Sequence, residues 1–391
     1  MNVKYQLIIL GQENEFIIKV IESLYLHIRE LGLLDESIAM LYEDDVKHFR
    51  GNAPAVCLYY SNVLSDFKNV DDVIKLLNAG VCVLPITDDK SRFTDFFPEE
   101  LYPINGFELK SDFEIEALVS KILEGLSLLR LSRRLFISYR RNESRSTAIQ
   151  LYEQLEAAGF DVFLDTHSIR PGELFQEELW HRLMDTDVVV LLNTPDFLGS
   201  TWTKQELAKA NSLSIGILQL IWPKYTPERE TELSIPYRLN ENDFVDGKYN
   251  DKASTLIEST LIDIVSKTES LRARSLAARQ DNIISEFIST ANFLGIKAHL
   301  QPEKFITIKK SNGNEIVVIP TIGVPHAFTY NQSEELIKLI KSHDVEKVYL
   351  LYDHRNIREK WLSHLSWLDN YLPISSIKIV EIHNWLENLK I

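Results

Sequence analysis

The sequence predicts an α/β protein built from three consecutive domains. Strand-like and amphipathic helix-like segments alternate along all 391 residues. This alternation is typical of sheets covered by helices, not of helical bundles or β-sandwiches. Hydrophobic residues make up 45% of the chain and charged residues 25%, which is enough apolar material for several buried cores. We place the domains at residues 1–129, 130–268 and 269–391, with the two flanking domains smaller than the central one.

Composition and charge exclude several classes of function. The formal net charge is −15, whereas a large nucleic-acid interface needs a surplus of Lys and Arg. No apolar run approaches the ~20 residues that a membrane-spanning helix requires. The first residues, MNVKYQLIILGQENE, lack a signal peptide of normal design. We therefore expect a cytoplasmic protein with no membrane partner and no nucleic-acid partner.

Cysteines and arginines give two further expectations. Cys57 and Cys82 each lie in an apolar strand-like run, so we expect buried hydrophobic side chains and no disulfide or metal framework. One basic cluster stands out against the acidic background and is a candidate binding site for a small phosphorylated ligand. It comprises Arg130, Arg133, Arg134, Arg140 and Arg141.

The N-terminal domain has the periodicity of a receiver domain. Phosphotransfer in such a domain needs an acidic pair after the first strand, an Asp after the third and a later Lys. Here the strand YQLIIL leads into Gly11-Gln12, and AVCLYY leads into Ser61-Asn62. We predict a receiver-like domain without a phospho-acceptor site, and with a sensing or docking role.

The central and C-terminal segments repeat the alternation. In the centre we predict the strands LFISY, DVFLD, DVVVLL and GILQLIW, a surface excursion over 223–250, and a helix over 252–292 interrupted near Thr268–Arg274. In the C-terminal domain, SNGN joins FITIKK to EIVVIP as a hairpin. Asp353, His354 and Arg355 follow the strand KVYLLY. They form either a ligand-binding rim or a polar loop that caps the next helix.

Four fragments occur in order within the central domain. They are FISYRRN at 136–142, GFDVFLDTHSIRPGELF at 159–175, DVVVLLNTPDFL at 187–198 and WTKQEL at 202–207. Together they resemble the TIR domains, and more closely those that act as NAD hydrolases in bacterial defence and animal axon degeneration. The resemblance covers about a quarter of the chain. It implies a flavodoxin-like parallel sheet in which WTKQEL supplies the W-x-x-x-E of a catalytic helix.

The loops after three predicted strands should meet at one edge of this sheet. In open parallel sheets, ligands sit beyond the carboxyl ends of the strands. FISYRRN follows the first strand, DTHSIRPG the second and NTPDFLGSTW the third. Spacing and topology therefore predict a site at this rim without reference to any family.

Glu206 is the candidate catalytic residue. Cleavage of the nicotinamide–ribose bond of NAD passes through an oxocarbenium-like ribose, which a nearby carboxylate can stabilise. Because the nicotinamide is already cationic in the substrate, a strong general acid is unnecessary and one carboxylate can suffice. The alternative is a solvated carboxylate early in a helix, where the macrodipole favours it.

The other candidate site residues are proposed to bind substrate. Trp202 lies one helical turn before Glu206 and forms either an aromatic wall near the nicotinamide end or part of the core. Arg140 and Arg141 lie beside a helix N-terminus, a natural cradle for pyrophosphate, or else form salt bridges. Ser138 and Tyr139 belong to the same box, although strand alternation turns only part of it toward a ligand. His167 and His181 receive no role, and His181 is expected at the surface.

The resemblance also implies how the protein works. The loop carrying Asp165, Pro171 and Gly172 would contact a neighbouring TIR domain, so that self-association switches the activity on. NAD+ is then a substrate, and neither a cofactor nor a metal is expected. The flanking domains would bind an unknown activator. Two alternatives remain open: a synthase that makes a cyclic ADP-ribose product with the same Glu206, and a non-catalytic TIR scaffold.

Overall fold

In a computed structural model, the described residues form three five-stranded sheets in succession along the chain. The chain divides into two compact units, Met1–Leu131 and a second comprising Ser132–Lys338 and Ser342–Ile391. The structure describes residues 5–49, 53–64, 67–164, 175–197, 208, 210–211, 213–226, 234–301, 304–339, 345–355 and 357–389.

The first unit is a parallel five-stranded sheet in the order β2-β1-β3-β4-β5. Its central strands are buried on both faces, which is why they read as continuous apolar runs in the sequence. The strands are β1 (Tyr5–Gly11), β2 (Ile38–Leu41), β3 (Ala55–Tyr60), β4 (Cys82–Thr87) and β5 (Phe107–Glu108). The helices are α1 (Glu15–Glu30), α2 (Val70–Asn78), α3 (Phe93–Phe96) and α4 (Ile115–Gly125).

Asn62 lies just after β3, at the carboxyl edge of this sheet. The side-chain amide of Asn62 donates to Asp88 at 2.6 Å, and its backbone N–H donates to the Gln12 side chain at 3.0 Å. Cys57 is buried as predicted, whereas Cys82 is exposed. The prediction for Cys82 is wrong because this residue opens β4, where the strand pattern begins on an exposed position.

The second unit begins with another parallel five-stranded sheet, in the order β10-β9-β8-β6-β7. Its strands are β6 (Arg134–Ser138), β7 (Asp161–Leu164), β8 (Val188–Asn193), β9 (Gly216–Ile221) and β10 (Ile235–Arg238), with α5 (Arg141–Ala157) and α6 (Phe175–Met184). The strand β10 lies inside the segment predicted as a surface excursion. Its residues are largely exposed, as predicted, but they form a strand that was not predicted. A short strand containing Pro is tolerated because it lies at the sheet edge.

A helix of 36 residues, α7 (Glu258–Phe293), follows this sheet. The predicted interruption near Thr268–Arg274 is wrong, because the helix continues through it. Three polar residues of this segment, Thr268, Glu269 and Arg272, are buried and paired. Arg272 donates through Nε to Asp187 at 2.8 Å with both side chains fully buried, and Glu269 binds Arg133.

Contacts with the sheet's amino-terminal edge hold α7 in place. Gly216 lets the helix approach, because a Cβ there would lie 2.8 Å from Cγ of Leu271. The Gly216 N–H donates to Oγ of Ser275 at 2.8 Å. Arg279 donates to the backbone carbonyls of Thr186 and Met184 at 2.7 and 3.0 Å. The helix therefore satisfies backbone groups left open where the strands begin.

The C-terminal sheet is mixed, in the order β11-β12-β13-β14-β15. The predicted hairpin is confirmed, since β12 pairs antiparallel with β13 around Gly313, which has a φ of 92°. The elements are β11 (Ala298–Leu300), β12 (Ile306–Lys309), β13 (Glu315–Thr321), β14 (Val345–Tyr352), β15 (Ser375–Lys378), α8 (Ala327–Leu339), α9 (Glu359–Tyr371) and α10 (Ile382–Asn388).

Within the second unit, α6 contacts the C-terminal sheet's helices. The ring of His181 stacks on Trp361 with centroids 5.4 Å apart, and its exposed fraction is 8%. Its expected surface position is therefore wrong: stacking against an element 180 residues away covers it. Nearby, the Val324 N–H donates to Asp185 at 3.2 Å. Across the described ranges, no helix combines the length and apolar character needed to cross a membrane.

Candidate functional site

The carboxyl edge of the central sheet receives side chains from both faces of β6. Leu135, Ile137 and Tyr139 belong to the core cluster beneath α5 and α7. Phe136 and Ser138 alternate with them and point to the other face. Ser138 is 2% exposed and lines a small cavity with Leu191 and Ala210, whereas Tyr139 is 7% exposed within the first core. The two predicted substrate-binding residues therefore lie on opposite faces of the sheet.

Arg140 is held at the rim by the loop that follows β8. Its Nη1 donates to the backbone carbonyl of Asp196 and lies 3.4 Å from the Glu143 carboxylate. The side chain is 42% exposed, so it remains partly accessible to solvent. Arg141 begins α5 and is exposed. Both predicted arginines lie where β6 passes into α5.

The predicted basic cluster does not form one site. Arg133 and Arg134 lie at the opposite end of β6, where they pair with Glu269 and Asp185. The guanidinium of Arg133 also stacks 4.6 Å from the Phe160 ring centroid. The five-residue strand β6 separates these arginines from Arg140. The expectation of a single phosphate-binding cluster is therefore wrong, because Arg133 pairs with α7 and Arg134 pairs with the residue that follows α6.

Two rim residues were missed by sequence reasoning, Asn193 at the end of β8 and Gln219 in β9. Asn193 is fully buried and Gln219 is 2% exposed. Among the described residues, neither amide atom of Asn193 has a hydrogen-bond partner, and nor does Nε2 of Gln219. The sequence carried a signal, since Asn193 ends the apolar strand VVVLLN and Gln219 interrupts the apolar strand GILQLI.

Five predicted site residues lie outside the described part of the chain. The helix expected after β8 is represented by Ala208, Ala210 and Asn211, which are helical. Ala210 is 2% exposed and packs in the cluster that contains Phe136 and Leu191. The residues outside the described ranges are Asp165, Pro171, Gly172, Trp202 and Glu206.

The C-terminal rim is occupied by a local ion pair. Arg355 contacts the Asp353 carboxylate through Nε and Nη2, at 2.9 and 2.6 Å. Burial raises the pKa of Asp353, but the Arg355 guanidinium outweighs it and holds that pKa below its usual range. In the parts of the chain that are described, no group of three or more His, Cys, Asp or Glu side chains is arranged to hold a metal ion.

Comparison with known proteins identifies the central segment. Residues 135–257 match the family model for the TIR domain, and they span the sheet and rim described above. This segment is a TIR domain. A 74-residue stretch of the chain is also 32% identical to a Brachypodium distachyon protein named as a probable 2′ cyclic ADP-D-ribose synthase, covering 19% of this chain. The chain spans about a third of that relative's length, 33%.

Solved structures add no argument beyond the TIR domain. A protein assigned as an aminotransferase from Burkholderia pseudomallei is 15% identical, with a TM-score of 0.20 over 51% of this chain and 65% of its own. A protein assigned as a phosphosugar isomerase from Silicibacter pomeroyi is 12% identical, with a TM-score of 0.20 over 72% and 87%. Scores this low give no basis for assigning a fold or a function to the flanking sheets.

Proposed function

We propose that the TIR domain is an NAD+ nucleosidase that cleaves the nicotinamide–ribose bond. The observation that carries the proposal is the TIR match over residues 135–257, which spans the W-x-x-x-E of Trp202 and Glu206. In the reaction, the C1′–N bond breaks and nicotinamide leaves as a neutral base with the bonding electrons. Water adds to C1′ and loses a proton, giving ADP-ribose.

Glu206 would stabilise the positive charge that develops on the ribose. A preorganised charge of this kind contributes most in a site shielded from water. The polar side chains at the rim support binding of the rest of the substrate. Arg140 offers a half-exposed guanidinium for the pyrophosphate, and Ser138 and Arg141 lie beside it at the junction of β6 and α5.

A second candidate is a synthase that releases nicotinamide and closes ADP-ribose into a cyclic product. The name of the Brachypodium distachyon relative favours it. In this reaction a ribose hydroxyl of the same molecule takes the place of water at C1′. Both reactions consume NAD+ and need the same carboxylate, whereas a scaffold built on the TIR surface would leave NAD+ unchanged.

The biological role we propose is that of an immune effector activated by assembly. Depletion of NAD+ arrests a cell, which fits the bacterial defence proteins that the sequence resembles. Because NAD+ is abundant in the cytoplasm, the proposal includes cytoplasmic residence. The two flanking sheets would then bind an activator or hold the TIR domains apart until one arrives.

The deciding experiment incubates the purified full-length protein with NAD+ and identifies the products by mass spectrometry. ADP-ribose with nicotinamide supports the nucleosidase, and a product lighter by one water supports the synthase. Unchanged NAD+ at high protein concentration would leave only the scaffold.

Glu206→Gln is expected to lower turnover by about 10²–10³, the usual effect of removing one preorganised group from a transition state. The melting temperature should not change. Glu153→Gln, which neutralises an exposed carboxylate on α5, is the matched control and should keep full activity. A Glu206→Gln protein that retains more than a tenth of the activity would exclude this residue as the catalytic group.

A further inference from the structure

Asn193 and Gln219 form a pair of buried amides with unused hydrogen-bonding capacity. Along β8, Val189 and Leu191 face the cluster that contains Ala210, and Asn193 continues that alternation. Along β9, Ile217 faces the same cluster, and Gln219 is the next residue on that face. Both amides therefore project toward the sheet face shared by Ser138.

Register brings the two amides within reach of a common ligand. Leu191 pairs with Gln219, and Asn193 pairs with Ile221 on the same two strands. Asn193 is thus the diagonal neighbour of Gln219, with Cα atoms roughly 8 Å apart from the strand spacing and rise. A group placed between the two amide ends can contact both.

The hydrogen-bonding inventory of the pair is incomplete. Gln219 accepts from Oγ of Ser234 at 2.8 Å through Oε1, while its Nε2 has no partner in the described structure. Asn193 lacks a partner for both Nδ2 and Oδ1 among the described residues. Buried polar atoms are almost always paired, because leaving one unpaired costs its full desolvation. A bound ligand that forms hydrogen bonds with these amide atoms would compensate for their desolvation.

We propose that Asn193 and Gln219 recognise the carboxamide of the nicotinamide ring by hydrogen bonding. A primary carboxamide has one carbonyl oxygen and one NH2 group, and the Asn193 amide presents the complementary pair, so two parallel hydrogen bonds form. Nε2 of Gln219 donates to the second lone pair of the same carbonyl. The inference rests on the proposed function, and it assigns substrate specificity to residues that are neither Glu206 nor the arginines.

The chemistry also explains why these positions are amides. The nicotinamide base leaves neutral, so a carboxylate or a guanidinium would add a charge that the leaving group cannot use. An amide supplies both a donor and an acceptor without charge. It can therefore select the carboxamide while leaving charge stabilisation to another group.

The test compares NAD+ with 3-acetylpyridine adenine dinucleotide, in which an acetyl group replaces the carboxamide and removes its two donors. Sites built to hydrogen-bond a substrate N–H reject an analogue that lacks it. The ratio of kcat/KM between the two substrates is measured for the full-length wild type, Asn193→Leu and Gln219→Met. We expect Asn193→Leu to reduce that ratio at least tenfold, since the intrinsic reactivity of each leaving group cancels in the comparison. Gln219→Met should instead lower kcat/KM for both substrates by a similar factor, because the acetyl carbonyl of the analogue still accepts from Nε2.

The melting temperature distinguishes a role of Asn193 in substrate recognition from a role in stability. Because Asn193→Leu removes two unpaired buried polar atoms, its melting temperature should equal or exceed that of the wild type. The control is Thr268→Val, which removes a buried hydroxyl that donates to the Ile264 carbonyl in α7 at 2.7 Å. It should not alter the substrate ratio.

Two results would overturn the inference. One is a substrate ratio that stays within twofold of wild type in Asn193→Leu. The other is an equal loss of kcat/KM for both substrates in Asn193→Leu, accompanied by a lower melting temperature of that variant. If the wild type consumes no NAD+, the proposed function fails separately, and the pair is then judged by thermal stabilisation with NAD+. Equal stabilisation of wild type and Asn193→Leu would reject it, and loss of stabilisation in the variant would support it.

Discussion

Arg140 links two loops at the rim before any substrate arrives. Its guanidinium contacts the carbonyl of Asp196 and the carboxylate of Glu143, and the Asp196 N–H also donates to Glu143 at 3.4 Å. Sequence reasoning left open whether Arg140 binds pyrophosphate or forms a salt bridge. Among the described residues, the observed contacts all involve Nη1, which also lies 3.8 Å from the Asp196 carboxylate, and the side chain stays 42% exposed.

We expect Arg140→Ala to raise the KM for NAD+ about fivefold and to change kcat less than twofold. A contact with pyrophosphate is nearly the same in the ground and transition states, so its loss affects binding. The size corresponds to about 1 kcal/mol for a half-exposed, charge-assisted hydrogen bond. Steady-state kinetics on Arg140→Ala and on Arg145→Ala, an exposed arginine one turn along α5, provide the measurement and its control. An unchanged KM in Arg140→Ala would remove this residue from the substrate site.

The arginines also show what single residues can and cannot predict. Five arginines within twelve positions suggested one site, but Arg133 and Arg134 are neutralised by Glu269 and Asp185. Those partners lie 136 and 51 residues away along the chain. The residues that surround Arg133 and Arg134 in the sequence give no information about such distant partners. The strand pattern marks Asn193 and Gln219 as polar residues among apolar ones, but only the three-dimensional structure shows that their amide atoms lack partners among the described residues.

The charged face of α7 is an element-scale feature. Arg272 and Asp187 form a fully buried pair, and Nη2 of Arg272 also donates to the Ser132 carbonyl at 3.2 Å. Removing one member of such a pair leaves the other charge buried without compensation. We expect Arg272→Met to destabilise the protein by about 3–5 kcal/mol, measured by urea unfolding at neutral pH.

The double variant Asp187→Leu with Arg272→Met is the informative comparison for this pair. Replacing both charges by apolar groups of similar volume is often neutral or stabilising. The double variant should therefore recover most of the stability lost by Arg272→Met. If the two substitutions were simply additive, the pair would not be the source of the destabilisation.

At the level of elements, the sequence predicted most of what apolar periodicity controls. The runs LFISY and DVVVLL became β6 and β8, and the SNGN hairpin joins β12 to β13. Two features were missed for one shared reason, which is that contacts with residues distant in sequence outweighed local composition. The polar segment at 223–250 contains β10, and the charged stretch near Thr268–Arg274 continues α7.

At the scale of the whole molecule, control of the activity is the main expectation. An NADase that was always active would poison its own cell, so the dilute full-length protein should be nearly inactive. If association of TIR domains completes the site, specific activity should rise with protein concentration, as mass action requires. NAD+ turnover per mole of protein, followed over a hundredfold concentration range with light scattering, tests this. A monomer with constant specific activity would contradict it.

Gly172 provides a variant for the same question. It lies outside the described residues, and the family resemblance assigns its loop to contacts between TIR domains. Because Pro fixes φ near −65° and removes a backbone N–H, Gly172→Pro should reduce assembly and activity together. Gly172→Ala is the milder substitution against which assembly and activity are compared. Loss of activity without loss of assembly would place the loop in the substrate site and not between molecules.

The reach of α7 has a practical consequence for dissecting the protein. The family match ends at residue 257, yet Glu269, Arg272 and Ser275 supply the partners of Arg133, Asp187 and the Gly216 N–H. A fragment cut after residue 257 or 268 would carry a bare carboxylate and a bare guanidinium in its interior. The smallest fragment expected to fold when it is moved or purified alone therefore extends at least to Arg279. This lies well beyond residue 257, where the family match ends.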